Sequence, residues 1–348
     1  MKNAYLLLLT LVALWKGLVG ATPRPLRIDG LVAAVFSPFS NDDYSLNVSA
    51  VNMQHAYLKS TGIEWVFVGG TTGESLSLSK EERMSLTKSW LETGINVIAH
   101  VGAECLEDAK ELAVHAAKNG AKAIGAMPPV FFSPANAKAL ALTMSEICAA
   151  AEELPCYYYH IPSMSKYTGP MLDFVEEMSK LSENFVGIKY TGLYNNPAFV
   201  DAVRVMRYAN GKEFGAYEVL GGREELMLES LAVGIRGFVG SQFNFAGDLY
   251  NSIHSLFSKA GLSSDTSEEL RDLQFAGTEL IASWQIAPAG MNGGKAFMNM
   301  AGVPVGPARL PSIPIDSTSE KSLELSLQSF CSAYDHLSLK VCAEQVFK

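Results

Sequence analysis

Eight short runs rich in β-formers alternate with longer stretches of helical periodicity through the first three quarters of the chain, and glycines punctuate the turns between them. These two observations predict an α/β fold, a (β/α)8 or TIM barrel, with a C-terminal three-helix extension. The strand candidates are 31–36 (LVAAVF), 65–69 (WVFVG), 96–101 (NVIAHV), 122–126 (KAIGA), 155–160 (PCYYYH), 185–190 (FVGIKY), 216–220 (AYEVL) and 235–239 (IRGFV). Helical spacing is clear over 106–119, where Leu106, Ala109, Leu112, Ala113, Ala116 and Ala117 share a face. Helix starts are marked by Ser79 with Glu82, a capping-box pattern, and by Ser133-Pro134 and Asn196-Pro197, each a cap before a proline. From about Thr266 the pattern is helical, with a loop of sequence GVPVGPARLP (Gly302 to Pro311) inside it. The expected division is a leader over 1–21, a barrel over 22–265 and a helical extension packed on it over 266–348.

The leader rests on a separate pattern. Lys2 precedes an apolar run from Ala4 to Trp15, followed by the small residues Val19, Gly20 and Ala21. That is the order of a secretory signal peptide, with cleavage expected near Ala21/Thr22 and secretion as its consequence. The rest of the 348 residues holds no second long apolar run, so no stable membrane association is expected. A net charge of −9 leaves no general basic surface for nucleic acid. The five cysteines, Cys105, Cys148, Cys156, Cys331 and Cys342, lack the paired spacings of a zinc site. Their odd number leaves at least one thiol free or bonded between chains. Cys331 with Cys342 is one possible bridge, while buried free thiols are expected for most of the five. Asn47-Val48-Ser49 is a glycosylation sequon, relevant if the chain is secreted.

Lys189 is the informative residue for function, since it is a cation inside the apolar segment FVGIKYTG. Burying an ammonium is costly, so such a lysine either snorkels out or discharges, and a neutral amine is a nucleophile suited to a Schiff base. In a barrel of this type the chemistry gathers at the C-terminal ends of the strands. Two further groups fall on that rim. After the second strand comes GGTTGE (Gly69 to Glu74), whose glycines crowd backbone N–H groups and whose threonines add donors for a small carboxylate. The fifth strand ends in YYYHIP, with Tyr159 its last tyrosine and His160 expected as a core histidine. Each is ordinary alone. An anion cradle, a phenol and a strand-end amine on one rim suit a 2-oxo acid.

GGTTGE, YYYHIP, GIKYTG and GVPVGPARLP, in that order across about residues 28 to 311, resemble the pyruvate-dependent class I aldolase superfamily that contains N-acetylneuraminate lyase and dihydrodipicolinate synthase. Within it, YYYHIP and the proline-rich loop are most similar to the animal-type lyases. The resemblance implies that Lys189 forms a pyruvyl Schiff base, that Tyr159 relays protons, and that Thr71 and Thr72 hold the pyruvate carboxylate. It also implies that Thr191, Gly221, Gly222, Glu224 and Ser241 line the sugar end of the pocket, that no metal or cofactor is needed, and that the chain forms a homotetramer. The synthases carry an arginine five residues beyond the tyrosine, where this chain has Met164, so the fork that would grip a dicarboxylate is missing.

Other departures fall at the sugar end. The lyases' G-x-D-E is here Gly221-Gly222-Arg223-Glu224, so Arg223 takes the place of an acceptor. A later pattern reads Gly240-Ser241-Gln242-Phe243-Asn244, without a threonine and a tyrosine hydroxyl. The tyrosine that members lend across a subunit interface is here Phe131 or Phe132, which leaves Tyr159 to relay through water or Thr72. The expected activity is cleavage of a small-molecule 2-oxo sugar acid, N-acetylneuraminate first, to pyruvate and an amino sugar. Its rivals are an aldolase for another 2-oxo sugar acid, favoured by Arg223, and a secreted non-catalytic paralogue. Retention of Thr72, Tyr159 and Lys189 opposes the latter.

Overall fold

A computed structural model describes residues 26–192, 197–208, 215–285 and 292–343. The leader over 1–21 lies outside them. Eight parallel strands, β1 (Gly30–Ala34), β2 (Trp65–Val68), β3 (Asn96–His100), β4 (Ala123–Ala126), β5 (Cys156–His160), β6 (Phe185–Tyr190), β7 (Glu218–Gly221) and β8 (Gly237–Gly240), close into a barrel in sequence order. β8 pairs with β1, so no edge is left. Each strand falls within two residues of its predicted run at either end, because runs of apolar residues buried on both faces are hard to mistake in an α/β chain.

Side chains alternate between the barrel interior and the surrounding helices. Val32, Phe67, Ile98, Tyr157, Tyr159, Leu220 and Val239 pack inside, and the outward set joins the helices in a second, larger core. Tyr157 donates to Glu218 inside the barrel, below the level of Tyr159. One irregularity matters for the rim. The register between β5 and β6 slips at Cys156/Tyr157, pairing Cys156 with Phe185 but Tyr157 with Gly187. A Cβ on Gly187 would lie 2.2 Å from the Glu218 carbonyl oxygen, so β6 and β7 close only over glycine.

The helices that clothe the barrel are α1 (Val51–Ser60), α2 (Lys80–Glu92), α3 (Leu106–Lys118), α4 (Ala137–Ala149), the single turn α5 (Pro162–Ser165), α6 (Met171–Met178), α7 (Ala198–Val205), α8 (Met227–Ala232) and α9 (Phe243–Ala260). The capping box at Ser79 and Glu82 is formed in both directions. Ser133-Pro134 does not start a helix. Ser133 Oγ donates to the Val130 carbonyl, and α4 begins at Ala137 behind Asn136, whose Oδ1 accepts from Ala139 N at 2.9 Å. Pro197 directly precedes α7, while Asn196 is outside the described residues. The extension is α10 (Ser267–Trp284), α11 (Asn292–Met300) and α12 (Ser317–Ala333).

Four of the five cysteines are paired, which corrects the expectation of free buried thiols. Cys148 at the end of α4 bonds Cys156 at the start of β5, and Cys331 bonds Cys342; Cys105 is free and exposed. The first pairing was hidden because it depends on the turn from α4 to β5 bringing the two Cα atoms to 5.7 Å. Asn184 fixes that turn by donating to the carbonyls of Cys148, Ala151 and Leu154. Among the described residues, no helix is long and apolar enough to cross a membrane.

Candidate active site

Lys189 and Tyr159 are direct neighbours in the β5–β6 register, with Leu220 of β7 on the other side. The strand order thus sets the amine beside the phenol. Lys189 is 4% exposed, and its Nζ lies 4.0 Å from the Tyr159 ring centroid and 4.3 Å from that of Phe67. His100 completes an aromatic wall, edge-on to Tyr159 at 5.9 Å and tilted to Phe67 at 5.8 Å. Burial among these rings pushes the Lys189 ammonium down to about 7, against a smaller upward pull from Glu224. A large share of the amine is therefore free at neutral pH, as nucleophilic addition requires.

Tyr159 responds to the same burial in the opposite sense. Its phenol is raised to about 12, with Thr71 pulling it down and Glu224 pushing it further up, so it rests protonated. Its hydroxyl is 3.3 Å from Thr71 Oγ1. Thr72, the expected helper of Tyr159, instead lies 2.7 Å from Ser241 Oγ, so the two threonines of the β2 turn have different partners. Thr71 is the residue that meets the phenol.

Glu224 is buried, and its Oε1 accepts from Gln242 N at 2.9 Å. A Cβ on Gly240 would come within 2.6 Å of that carboxyl, so the β8 glycine makes room for it. Burial raises its carboxyl to about 7, partly offset by the Gln242 amide. The field it exerts on both Lys189 and Tyr159 places it in the same low-dielectric environment. Thr191 spends both its amide and its hydroxyl on the His160 carbonyl, at 3.0 and 2.7 Å. Gly222 packs so tightly on it that a Cβ would fall 2.2 Å from Thr191 Cγ2, and one on Gly221 would meet the Phe238 ring at 2.7 Å.

Arg223 turns away from this cluster. Its Nη1 pairs with Glu225 at 3.1 Å and its Nε donates to the Gly192 carbonyl at 3.3 Å. Gln242 and Phe243 are also corrected: expected at the sugar end, they pack between helices instead. Gln242 Nε2 donates to Tyr250 OH at 2.6 Å, and Phe243 lies edge-on to the same tyrosine. His160 is a core residue as expected, stacked on Tyr190 and lowered to about 4 by burial. Phe131 and Phe132 stand 77% and 82% exposed on a loop whose amides bond Glu104. Phe67 and His100, which complete the wall around the amine, sit in predicted strands but carried no signal beyond apolar periodicity.

The profile of the dihydrodipicolinate synthetase family matches residues 27–330. The N-acetylneuraminate lyase of Xenopus tropicalis is 37% identical over 316 residues, covering 86% of this chain and 98% of its own. That of Danio rerio is 33% identical over 313 residues, covering 88% and 98%. Among solved structures, the N-acetylneuraminate lyase of Aliivibrio salmonicida superposes with a TM-score of 0.79 at 28% identity, over 88% of this chain and 97% of that one. The match spans both the barrel and most of the extension, and the chain belongs to the dihydrodipicolinate synthetase family.

Proposed function

We propose that this chain is a carbon–carbon lyase, a Schiff-base aldolase that cleaves N-acetylneuraminate to N-acetylmannosamine and pyruvate. The observation that carries it is the buried amine of Lys189 seated on the Tyr159 ring beside the threonine turn. The amine adds to the C2 carbonyl of the open-chain substrate and water leaves, giving a protonated imine. Having given its own proton to the carbinolamine hydroxyl that leaves as water, Tyr159 takes the C4 hydroxyl proton, the C3–C4 bond breaks, and that bond's electrons pass into the imine to form an enamine as the aldehyde departs. Protonation at C3 and hydrolysis return pyruvate and the free lysine. Thr71 and Thr72 hold the substrate carboxylate, while Thr191, Gly221, Gly222, Glu224 and Ser241 face its sugar end.

The outward pairing of Arg223 weighs against an acceptor bearing a second anion, since its charge is already matched by Glu225. The relatives of this chain being N-acetylneuraminate lyases supports the same choice. Purified protein should release equimolar pyruvate and N-acetylmannosamine from N-acetylneuraminate. No release from it, with release from another 2-oxo sugar acid, would replace the substrate and keep the chemistry.

Secretion and assembly as a homotetramer belong to the same reading. The pairing of Cys148 with Cys156 and of Cys331 with Cys342 suits an oxidising compartment and supports the leader pattern of residues 1–21. Expression in a secreting eukaryotic cell should give tetrameric protein in the medium, beginning near Thr22. Cell-retained protein that keeps Met1 would contradict secretion, and a smaller mass in sedimentation would contradict the tetramer.

A further inference from the structure

Beside the threonine turn lies a buried ion pair that the chemistry above does not use. Lys295, on α11 of the extension, is 3% exposed, and its Nζ meets Glu74 Oε1 at 2.7 Å and the Pro307 carbonyl at 2.8 Å. Glu74 is the last residue of GGTTGE. Its second oxygen, Oε2, accepts the Arg309 backbone N–H at 2.9 Å, so both carboxylate oxygens are held by the extension. Lys295 and Arg309 also both lie on the Phe39 ring, at 4.2 and 4.3 Å. The Arg309 guanidinium is occupied elsewhere, with Glu82 and the Tyr44 and Ser77 carbonyls.

Glu74 is mechanically continuous with the site. Its N–H closes the turn on the Thr71 carbonyl at 2.9 Å, and its backbone has φ +51°, a left-handed conformation that a residue with a side chain holds only when its surroundings impose it. A buried ion pair adds little stability over apolar residues of similar size, and its best-attested use is to fix a register. Here the register in question is that of Thr71, which meets the Tyr159 hydroxyl, and of Thr72. We propose that Glu74 and Lys295 are positioning residues: their ion pair makes the extension part of the active-site scaffold and sets where Thr71 and Thr72 meet the substrate carboxylate. This rests on the aldolase reading above, with Lys189 as the amine.

The test is the pyruvate concentration that half-saturates borohydride trapping on Lys189, measured on the full chain. In the Glu74→Gln/Lys295→Met double variant it should rise about tenfold or more, the scale at which small misplacements of positioning groups act. The final extent of trapping should be unchanged. The Cys331→Ser/Cys342→Ser variant loosens the extension without touching Glu74 and should lower the thermal midpoint while leaving half-saturation as it was. If the double variant does not fold, Glu74→Gln alone keeps an acceptor and loses only the charge; a smaller rise is expected. Unchanged half-saturation in the double variant, or in Glu74→Gln where only that one folds, or an equal rise in the cysteine variant, overturns the proposal. Absence of any pyruvate adduct in the unsubstituted protein overturns the aldolase reading and this inference with it, whereas a normal adduct there with unmoved variants overturns this inference alone.

Discussion

At the scale of single residues, the same low-dielectric pocket drives two groups in opposite directions toward the states the chemistry needs. Lys189 loses its proton more readily and Tyr159 holds its proton more tightly, so a nucleophile and a proton carrier coexist within one cluster. Tyr159→Phe keeps the ring that packs on Lys189 and Phe67 and removes only the hydroxyl that reaches Thr71. Steady-state cleavage of N-acetylneuraminate should fall by about 10²- to 10⁴-fold, the usual loss on removing a general acid or base. Imine formation with pyruvate should persist. Turnover near that of the unsubstituted protein would mean that the proton moves through another group. Lys189 was legible because a charged residue in an apolar run stands out, and Tyr159 because its strand ends on the same rim. The direction of Arg223 was not, since a sequence shows that an acceptor has become a donor but not which carbonyl or acid will take it up.

At the scale of elements, continuous apolar runs located every strand, and the alternation with amphipathic helices left a parallel barrel as the consistent topology. What stayed hidden depends on contacts distant in sequence or on how a turn is closed. Lys295 in the polar, glycine-rich stretch NGGKAF looks like a surface lysine until the extension folds back onto Glu74. Ser133-Pro134 has the form of a helix start, yet Asn136 takes the cap, because the serine hydroxyl already closes the preceding turn. Gly187 could be read as a generic strand glycine, whereas the slipped β5–β6 register makes it a requirement for β7 to approach. On β6 the slip falls between Phe185 and Gly187, and Gly187 lies two residues before Lys189.

At the scale of the whole molecule, the barrel supplies the amine, the phenol and the threonine turn from different strands, and the extension reaches back to contact that turn. Under the proposed function Lys189 is the nucleophile, and burial makes it one at neutral pH. A protonated amine cannot add to a carbonyl, so the rate should climb as pH passes through the folded-state value and flatten above it. For Lys189 that value is about 7, against an ordinary 10.5. Glu224 titrates in the same range, so the midpoint belongs to the pair. The decisive measurement is the initial rate of pyruvate adduct formation on Lys189, trapped by borohydride reduction and located by peptide mass spectrometry, as a function of pH. One adduct is expected, on Lys189, forming at a rate that rises with a midpoint near 7 and then levels. An adduct on another lysine, or a rate still climbing about tenfold per pH unit toward the ordinary lysine value, would contradict it.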